Sequence, residues 1–427
     1  MITNKGNLTI TGNGTITLVA TNNRGWNAYS SVISNNPGGN LVVENVTIEH
    51  LGGTDMAYGI DNLTNGKGTS AIVTVNEGAV VKSKYRAIRQ FLNGIEATNE
   101  LTVNAGAVIE GRNKSIWMQD PSKNANTGKL VVNEGAELKG DVYLFVTAGS
   151  TEWPVEVSIA ESALVGESTV ITGNVPAGYI VTKESGAYVV AEVTVANDQA
   201  SLDEAIANGA TIALAEGTYV LPTKAQGKTL KFVGTGDPAN TVIATNTSGS
   251  YEGCNYALDG STVEFQNISI TTDNNTYTGY ARCKATFKNC IINNSLTLYD
   301  NCTFEGCTFN VSGDQYNIWT WGAPVATFTN CVFNSDGKAM LLYGQANTHL
   351  TINDCVFNDS GVLPDLKAAI EIGNDYNTSY NLVVNNTVVN GYEINDKGIN
   401  TGTTLWANKN SMGQDKLNVV VDGVDVY

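Results

Sequence analysis

Along most of the chain, β-branched and aliphatic residues fall at every second position, stop at Asn, Asp or Gly, and then resume. The phrase reads LTITGNGTITL from Leu8, LVVENVTIEH from Leu41, IVTVNEGAVVKS from Ile72, LTVNAGAVIEG from Leu101 and LVVNEGAELKG from Leu130. It returns as VEFQNISI from Val263, ATFKNCIINNS from Ala285, ATFTNCVFNSDG from Ala326, LTINDCVFNDSG from Leu350 and LVVNNTVVNG from Leu382. Alternation over so few residues predicts short strands whose every second side chain shares one face. The glycines Gly78, Gly106 and Gly135 stand 28 and 29 residues apart, and Asn330, Asp354 and Asn386 stand 24 and 32 apart. A period of that size marks a stack of structural repeats.

A shorter apolar run lies between the phrases, as in SSVIS at Ser30, AYGID at Ala57, RAIRQF at Arg86, SIWMQ at Ser115, AMLLYG at Ala339 and AAIEIG at Ala368. One such repeat cannot bury its own apolar face, so neighbouring repeats must stack to form the core. The expected fold is all-β, a parallel β-helix with in-register stacking. Val103, Val131, Phe328 and Ile352 should point inward, and Asn330 and Asp354 should align on one edge, where Asn and Gly tolerate left-handed backbone. Cys290, Cys302, Cys331 and Cys355 follow the turn, with Phe304, Phe333 and Phe357 two residues later, and both sets are expected to form core ladders.

One helix is predicted, in SLDEAIANG: Ser201 and Glu204 form a capping box, Leu202, Ala205 and Ile206 an apolar face, and Gly209 the stop. Before it, VPAGYIVTKESGAYVVAEV reads as a β-hairpin with Gly178 and Gly186 near its turns. These marks divide the chain into a first repeat unit over 1–165, a hairpin connector over 166–192, and a second unit over 193–427 that opens with the helix. The stretch from Ser201 to Ile243, with its I-x-L-x-x-G-x-Y strand from Ile212, resembles the opening of pectin-lyase-like β-helix proteins, in which a short amphipathic helix caps the first coil. That resemblance implies two tandem right-handed parallel β-helices, of the kind found in phage structural proteins, tail spikes and bacterial surface adhesins.

Charge narrows the partners. With 24 basic against 41 acidic residues the net charge is −17, which argues against nucleic acid or an anionic membrane. No apolar run approaches the roughly 20 residues of a membrane span, so membrane insertion is not expected. MITNKGNL lacks the hydrophobic core of a signal peptide. Leu8 already lies in a repeat and LNVVVDGVDVY is strand-like, so the ends read as uncapped, which suits a fragment, a phage protein, a homotrimer or end-to-end association. The densest basic run, KSKYR from Lys82 to Arg86 with Arg89, is read as a solvated turn. Seven cysteines between Cys254 and Cys355, with no CxxC pair, are read as reduced core residues. His50 and His349 are read as surface turn residues, and no metal or cofactor is expected.

Enzyme chemistry has weak support. The NTD, DD, GHG and RIK series of the pectin hydrolases is absent, and no aspartate cluster recurs beside Arg282. The carboxylates that could pair for hydrolysis are Asp55 with Asp61, and Asp359 or Asp365 with Glu371 and Asp375. Trp319 and Trp321 in YNIWTWG alternate and so share one side of a strand, with Tyr316 nearby. Facing outward they would offer platforms for sugar rings; facing inward they would be core. Trp26, Trp117 and Trp406 are isolated and are expected at corners. The expectation is therefore a non-enzymatic surface protein located on a virion or cell surface: a phage tail spike, fibre or receptor-binding component that meets a cell-surface glycan and other virion or surface proteins. The alternatives are a bacterial adhesin and a polysaccharide lyase or glycoside hydrolase.

Overall fold

The computed structural model describes residues 1–19, 30–52, 57–120, 126–146, 155–173, 178–244, 257–271, 282–322, 325–344, 346–362, 368–373, 378–391 and 404–427. They form two compact units, Met1–Glu192 and Val193–Tyr427. Both are built almost wholly of short strands paired in parallel.

In the second unit the chain visits three sheets in a fixed order. Val325–Thr329 belongs to an eleven-stranded sheet, Val332–Ser335 to an eight-stranded sheet, and Met340–Leu342 to a five-stranded sheet; Thr348–Asn353 then returns to the first. Each strand pairs with its counterpart one repeat away, Phe304 on Phe328 and Phe328 on Ile352. Asn330 and Asp354 take left-handed backbone, φ 55° and 53°, and donate their N–H groups to Asn353 and Asn385 one repeat on. In the first unit Val108–Asp120 runs through a corner, its first half on Val80–Ser83 and its second half on Arg86–Ile95. Gly78 and Gly106, φ 70° and 74°, donate N–H to the carbonyls of Gly106 and Gly135, so the turns stack like the strands.

Several details differ from expectation. Val131 faces outward, between Thr102 and Ser158, while Leu130 and Val132 fill the core. Three successive apolar residues in LVV leave the parity open; counting back three from the turn glycine, which equates Val103 with Val132, fixes it. The Cys–Phe phrase also serves two different columns. Cys302 aligns with Ala285 and Ala326, and Phe304 stacks between Phe287 and Phe328 at 4.6 and 4.7 Å. Cys307, after the turn at Gly306, instead joins Cys290, Cys331 and Cys355, beside the Phe309–Phe333–Phe357 stack at 4.5 Å per step. The six described cysteines are buried free thiols, and burial pushes the Cys302 thiol up to about 12.

The helix spans Gln199–Ala205, and its cap is Asp198, not Ser201. The Asp198 carboxylate accepts the Ser201 N–H at 2.8 Å, and the Ser201 hydroxyl closes the box on the Asp198 backbone. Asp198 outcompetes Ser201 because a carboxylate at the N-cap position both accepts the free N–H and offsets the helix dipole. The hairpin Tyr179–Glu184 with Ala187–Glu192 turns at Ser185 and Gly186, both at positive φ, and lies antiparallel on Val155–Ala160. At the C-terminal end, Val424–Asp425 folds back antiparallel on Leu417–Val421 and pairs part of that strand's outer edge.

Candidate functional site

The five-stranded sheet of the second unit consists of Leu296–Leu298, Ile318–Thr320, Met340–Leu342, Ala368–Ile372 and Thr404–Asn408. Ile318, Met340 and Ile370 point into the core, which leaves Thr297, Trp319, Leu341 and Glu371 in one column on the opposite face, where Trp319 is half-buried and the other three are buried. A second outer column begins where these strands end, with Tyr299, Trp321 and Tyr343. The Trp321 N–H donates to Leu298 O at 2.9 Å, keeping it in register with the previous repeat.

Glycine follows two of these aromatics for a steric reason. A Cβ on Gly322 would collide with Tyr299 O, and one on Gly344 would sit 2.7 Å from Trp321 O. The corner is therefore tight, and the rings are brought into line. Trp321 and Tyr343 stack at 5.8 Å with 30° between their planes, and Trp319 meets Tyr343 edge-on at 6.4 Å. Trp319, Trp321, Tyr343 and Tyr299 are all half-buried. Tyr343 and Tyr299 were not singled out from the sequence, although the aromatic-Gly pair recurs in WTWG and LLYG.

Tyr316 is not a platform. It is 5% exposed, packs edge-on to Trp319 at 5.5 Å, and donates its hydroxyl to Glu371 Oε2. Lys409 Nζ reaches the same oxygen at 2.8 Å, so the buried carboxylate is compensated. Lys338 Nζ lies 4.9 Å from the centre of the Tyr316 ring. Burial, followed by the bond to Glu371, pushes the Tyr316 phenol far above its usual range and keeps it a neutral donor. Glu371 and Lys409 thus hold the Tyr316 ring that packs against Trp319.

Glu371, one of the proposed catalytic carboxylates, thus has an oxygen committed to two protein partners; Asp365 and Asp375 lie outside the described residues. Asp55 and Trp26 also lie outside them. Asp61 is buried in a bidentate ion pair with Arg89, at 2.8 and 2.6 Å, and Asp359 accepts the Gly361 N–H at a turn. Arg89 is therefore no solvated turn residue: its guanidinium lies between the rings of Tyr58 and Phe91, at 4.8 and 4.5 Å. Arg86 covers the Trp117 ring at 3.8 Å, which places Trp117 on a sheet face, while Trp406 is core. Phe91 lies two residues beyond Arg89 in the same strand, while Tyr58 and Trp117 come from adjacent repeats, and the run KSKYR held no sign of those two.

The histidines also differ from expectation. His50 is fully buried, its Nδ1 accepting the Gly52 N–H at 2.8 Å and its Nε2 meeting Ser30 Oγ at 2.9 Å. Burial lowers its pKa and the ring is neutral. His349 sits in the strand Thr348–Asn353, hydrogen-bonded to Asn381 at 2.9 Å. Among the described residues no cluster of His, Cys, Asp or Glu is placed to hold a metal. Compared with known proteins, the chain is matched by no family model and by no curated sequence.

Proposed function

We propose that the second unit presents a carbohydrate-binding strip on a right-handed parallel β-helix of the pectin-lyase-like kind, in a non-enzymatic surface protein such as a phage tail spike, fibre or receptor-binding component. A bacterial adhesin would use the same strip. The β-helix reading is supported by the repeated order in which the chain visits three parallel sheets, and right-handedness by the strong chiral preference of parallel crossovers. The strip is supported above all by the half-buried Trp321–Tyr343 stack, with Trp319 edge-on to Tyr343 and Tyr316 packed against Trp319. Flat rings of this kind take the apolar face of a sugar without needing charge, which suits an acidic unit meeting neutral or weakly charged cell-surface glycans. The engaged Glu371 oxygen weighs against hydrolysis or lyase chemistry at this place.

A glycan array probed with clustered protein tests the reading, because clustering raises weak single-site binding to a measurable level. Trp321→Ala and Tyr343→Ala are expected to remove most of the signal, and Trp319→Ala to reduce it. Equal binding by folded variants would overturn the strip. Release of reducing ends or unsaturated sugars from any bound polysaccharide would overturn the non-enzymatic reading.

A further inference from the structure

The first unit holds a groove of different chemistry. It is a concavity of about 620 Å³ bordered by two rows of side chains that run from repeat to repeat. The inner row is Glu49, Lys82, Glu110 and Lys139, which are register partners on four successive strands. The corner row is Leu51, Lys84 and Arg112, and the floor between them includes Ser83, Gly111 and Gly140. Neither of the two glycines has room for a side chain: a Cβ on Gly111 would strike Lys114 O, and one on Gly140 would strike Gly111 O. The glycines are thus required by the close stacking of the corner turns that form the floor.

The charges of the groove are uneven. Lys82 pairs with Glu49 at 2.9 Å and Lys139 with Glu137 at 3.1 Å, but Lys84 and Arg112 are exposed and form no ion pair among the described residues. Four cations line the groove against Glu49 and Glu110, and with Glu137 beside Lys139 one positive charge remains in excess, on a chain whose net charge is −17. In a concave site such an excess draws anions. Yet the inner row alternates in sign, and its two lysines stand two repeats apart, about 10 Å at the usual strand spacing. A polymer charged on every unit would bring an anion against Glu110. One charged on alternate units would meet Lys82 and Lys139, with its uncharged unit donating hydroxyls to Glu110.

We propose that this groove binds an acidic glycan of low charge density, with carboxylate or sulfate on alternate sugars and hydroxyls between them. The site is separate from the aromatic strip and does not depend on it. Fluorescence anisotropy of labelled oligosaccharides of equal length, with the full chain at physiological salt, tests it. The probes are hyaluronan and κ-carrageenan, which carry carboxylate and sulfate respectively on alternate sugars, then polygalacturonate, charged throughout, and neutral dextran. The alternating probes are expected to bind at least about tenfold more tightly than the others, a difference near 1.4 kcal/mol. Lys84→Gln with Arg112→Gln is expected to remove about tenfold of that affinity, with circular dichroism unchanged at these exposed sites. Glu110→Gln should raise polygalacturonate binding several-fold while hyaluronan stays near wild type. Trp321→Ala should change none of these values.

Equal affinity for all anionic probes would reduce the groove to an unspecific cationic patch and overturn the proposal. So would binding that survives the double substitution, or no binding of either alternating probe. Preference for sulfate over carboxylate, or the reverse, would support the proposal and name the anion.

Discussion

The two units stack their repeats in the same way and fill them differently. The apolar core of the first, among the described residues, is aliphatic, made of Val, Ile, Leu and Ala with Met118 as the one long exception. The second is built around phenyl rings, with Phe232, Phe265, Phe287, Phe304 and Phe328 in one continuous stack. Amide ladders show the reverse contrast. In the first unit Asn4, Asn35 and Asn62 run inside the protein in register, and Asn62 bonds across to Asn99 on a strand of the other sheet, at 2.8 Å for each bond. In the second Asn293, Asn310, Asn334, Asn358 and Asn390 run along the outer face at 2.7–3.0 Å per step. Parallel register lets a side chain meet its own kind in the next repeat, as Asn35 meets Asn62 and Phe304 meets Phe328, so either chemistry can extend along the stack. What differs is the cost of breaking it: a ring leaves a cavity, a buried amide leaves unpaired polar atoms, and an outer amide leaves a site that water can fill.

The first and largest expected effect is in the phenyl stack. Phe304→Ala removes a ring packed at 4.6 and 4.7 Å from its neighbours and edge-on to Phe309 at 5.3 Å. Loss of stability of about 4 kcal/mol is expected, since the fixed backbone of adjacent repeats limits collapse into the cavity. Hydrogen exchange should show the loss in Lys284–Lys288, Cys302–Glu305 and Val325–Thr329, while strands of the first unit keep their protection. A loss below about 1 kcal/mol would mean that the stack fills space without supporting it.

Next is the buried ladder. Asn62 accepts from Asn35, donates to Asn99 Oδ1 at 2.8 Å and to Glu100 O at 2.9 Å, and is fully buried. Asn62→Ala leaves several of these groups unpaired away from water, and a loss of about 3 kcal/mol is expected. Denaturant unfolding of the full chain, read by exchange at Ala57–Lys67 and Thr98–Val103, measures it. A stabilised variant would show that the ladder serves register and not stability.

This ladder also marks where the sequence stopped being legible. The alternation, the turn residues and the parallel stacking were readable because each repeat states them locally, and Asn330 or Gly106 takes its left-handed backbone whatever its neighbours are. Partners in the next repeat were not readable. Asn35 and Asn62 end or interrupt an apolar run and Asn99 stands in the polar triplet TNE, so all three look like surface turns, and only the register turns them inward. The same holds for Arg89, whose carboxylate partner lies 28 residues earlier, and for Tyr316, whose acceptor Glu371 lies 55 residues later. The Trp319 and Trp321 alternation was visible, while Tyr343, which completes the strip, belongs to another repeat.

A smaller effect separates the units by pH. The folded-state pKa of His50 is lowered from 6.5 by burial, so between the lowered value and 6.5 the unfolded chain binds the proton that the folded chain refuses. Stability from this residue is fully present above pH 6.5 and is lost as pH falls through that window, at up to about 1.4 kcal/mol per pH unit. The loss should appear in exchange at Thr47–His50 and disappear in His50→Gln. A pH dependence that persists in that variant would assign the titration to another group.

The smallest expected effect closes the comparison of ladders. Asn334 bonds to Asn310 and Asn358 at 2.9 Å each, in the same geometry as Asn62, but it is half-buried on the outer face. Its replacement by Ala interrupts two amide bonds, yet the freed oxygen of Asn310 and the freed amide of Asn358 stand where water can reach them. The loss is then the net value of exchanged hydrogen bonds, about 0.5–1 kcal/mol, and not the larger cost of stranded polar groups. Parallel denaturant titrations of Asn62→Ala and Asn334→Ala give the ratio directly. If the outer substitution costs as much as the inner one, then ladder cooperativity along the stack, and not burial, sets the energy of both.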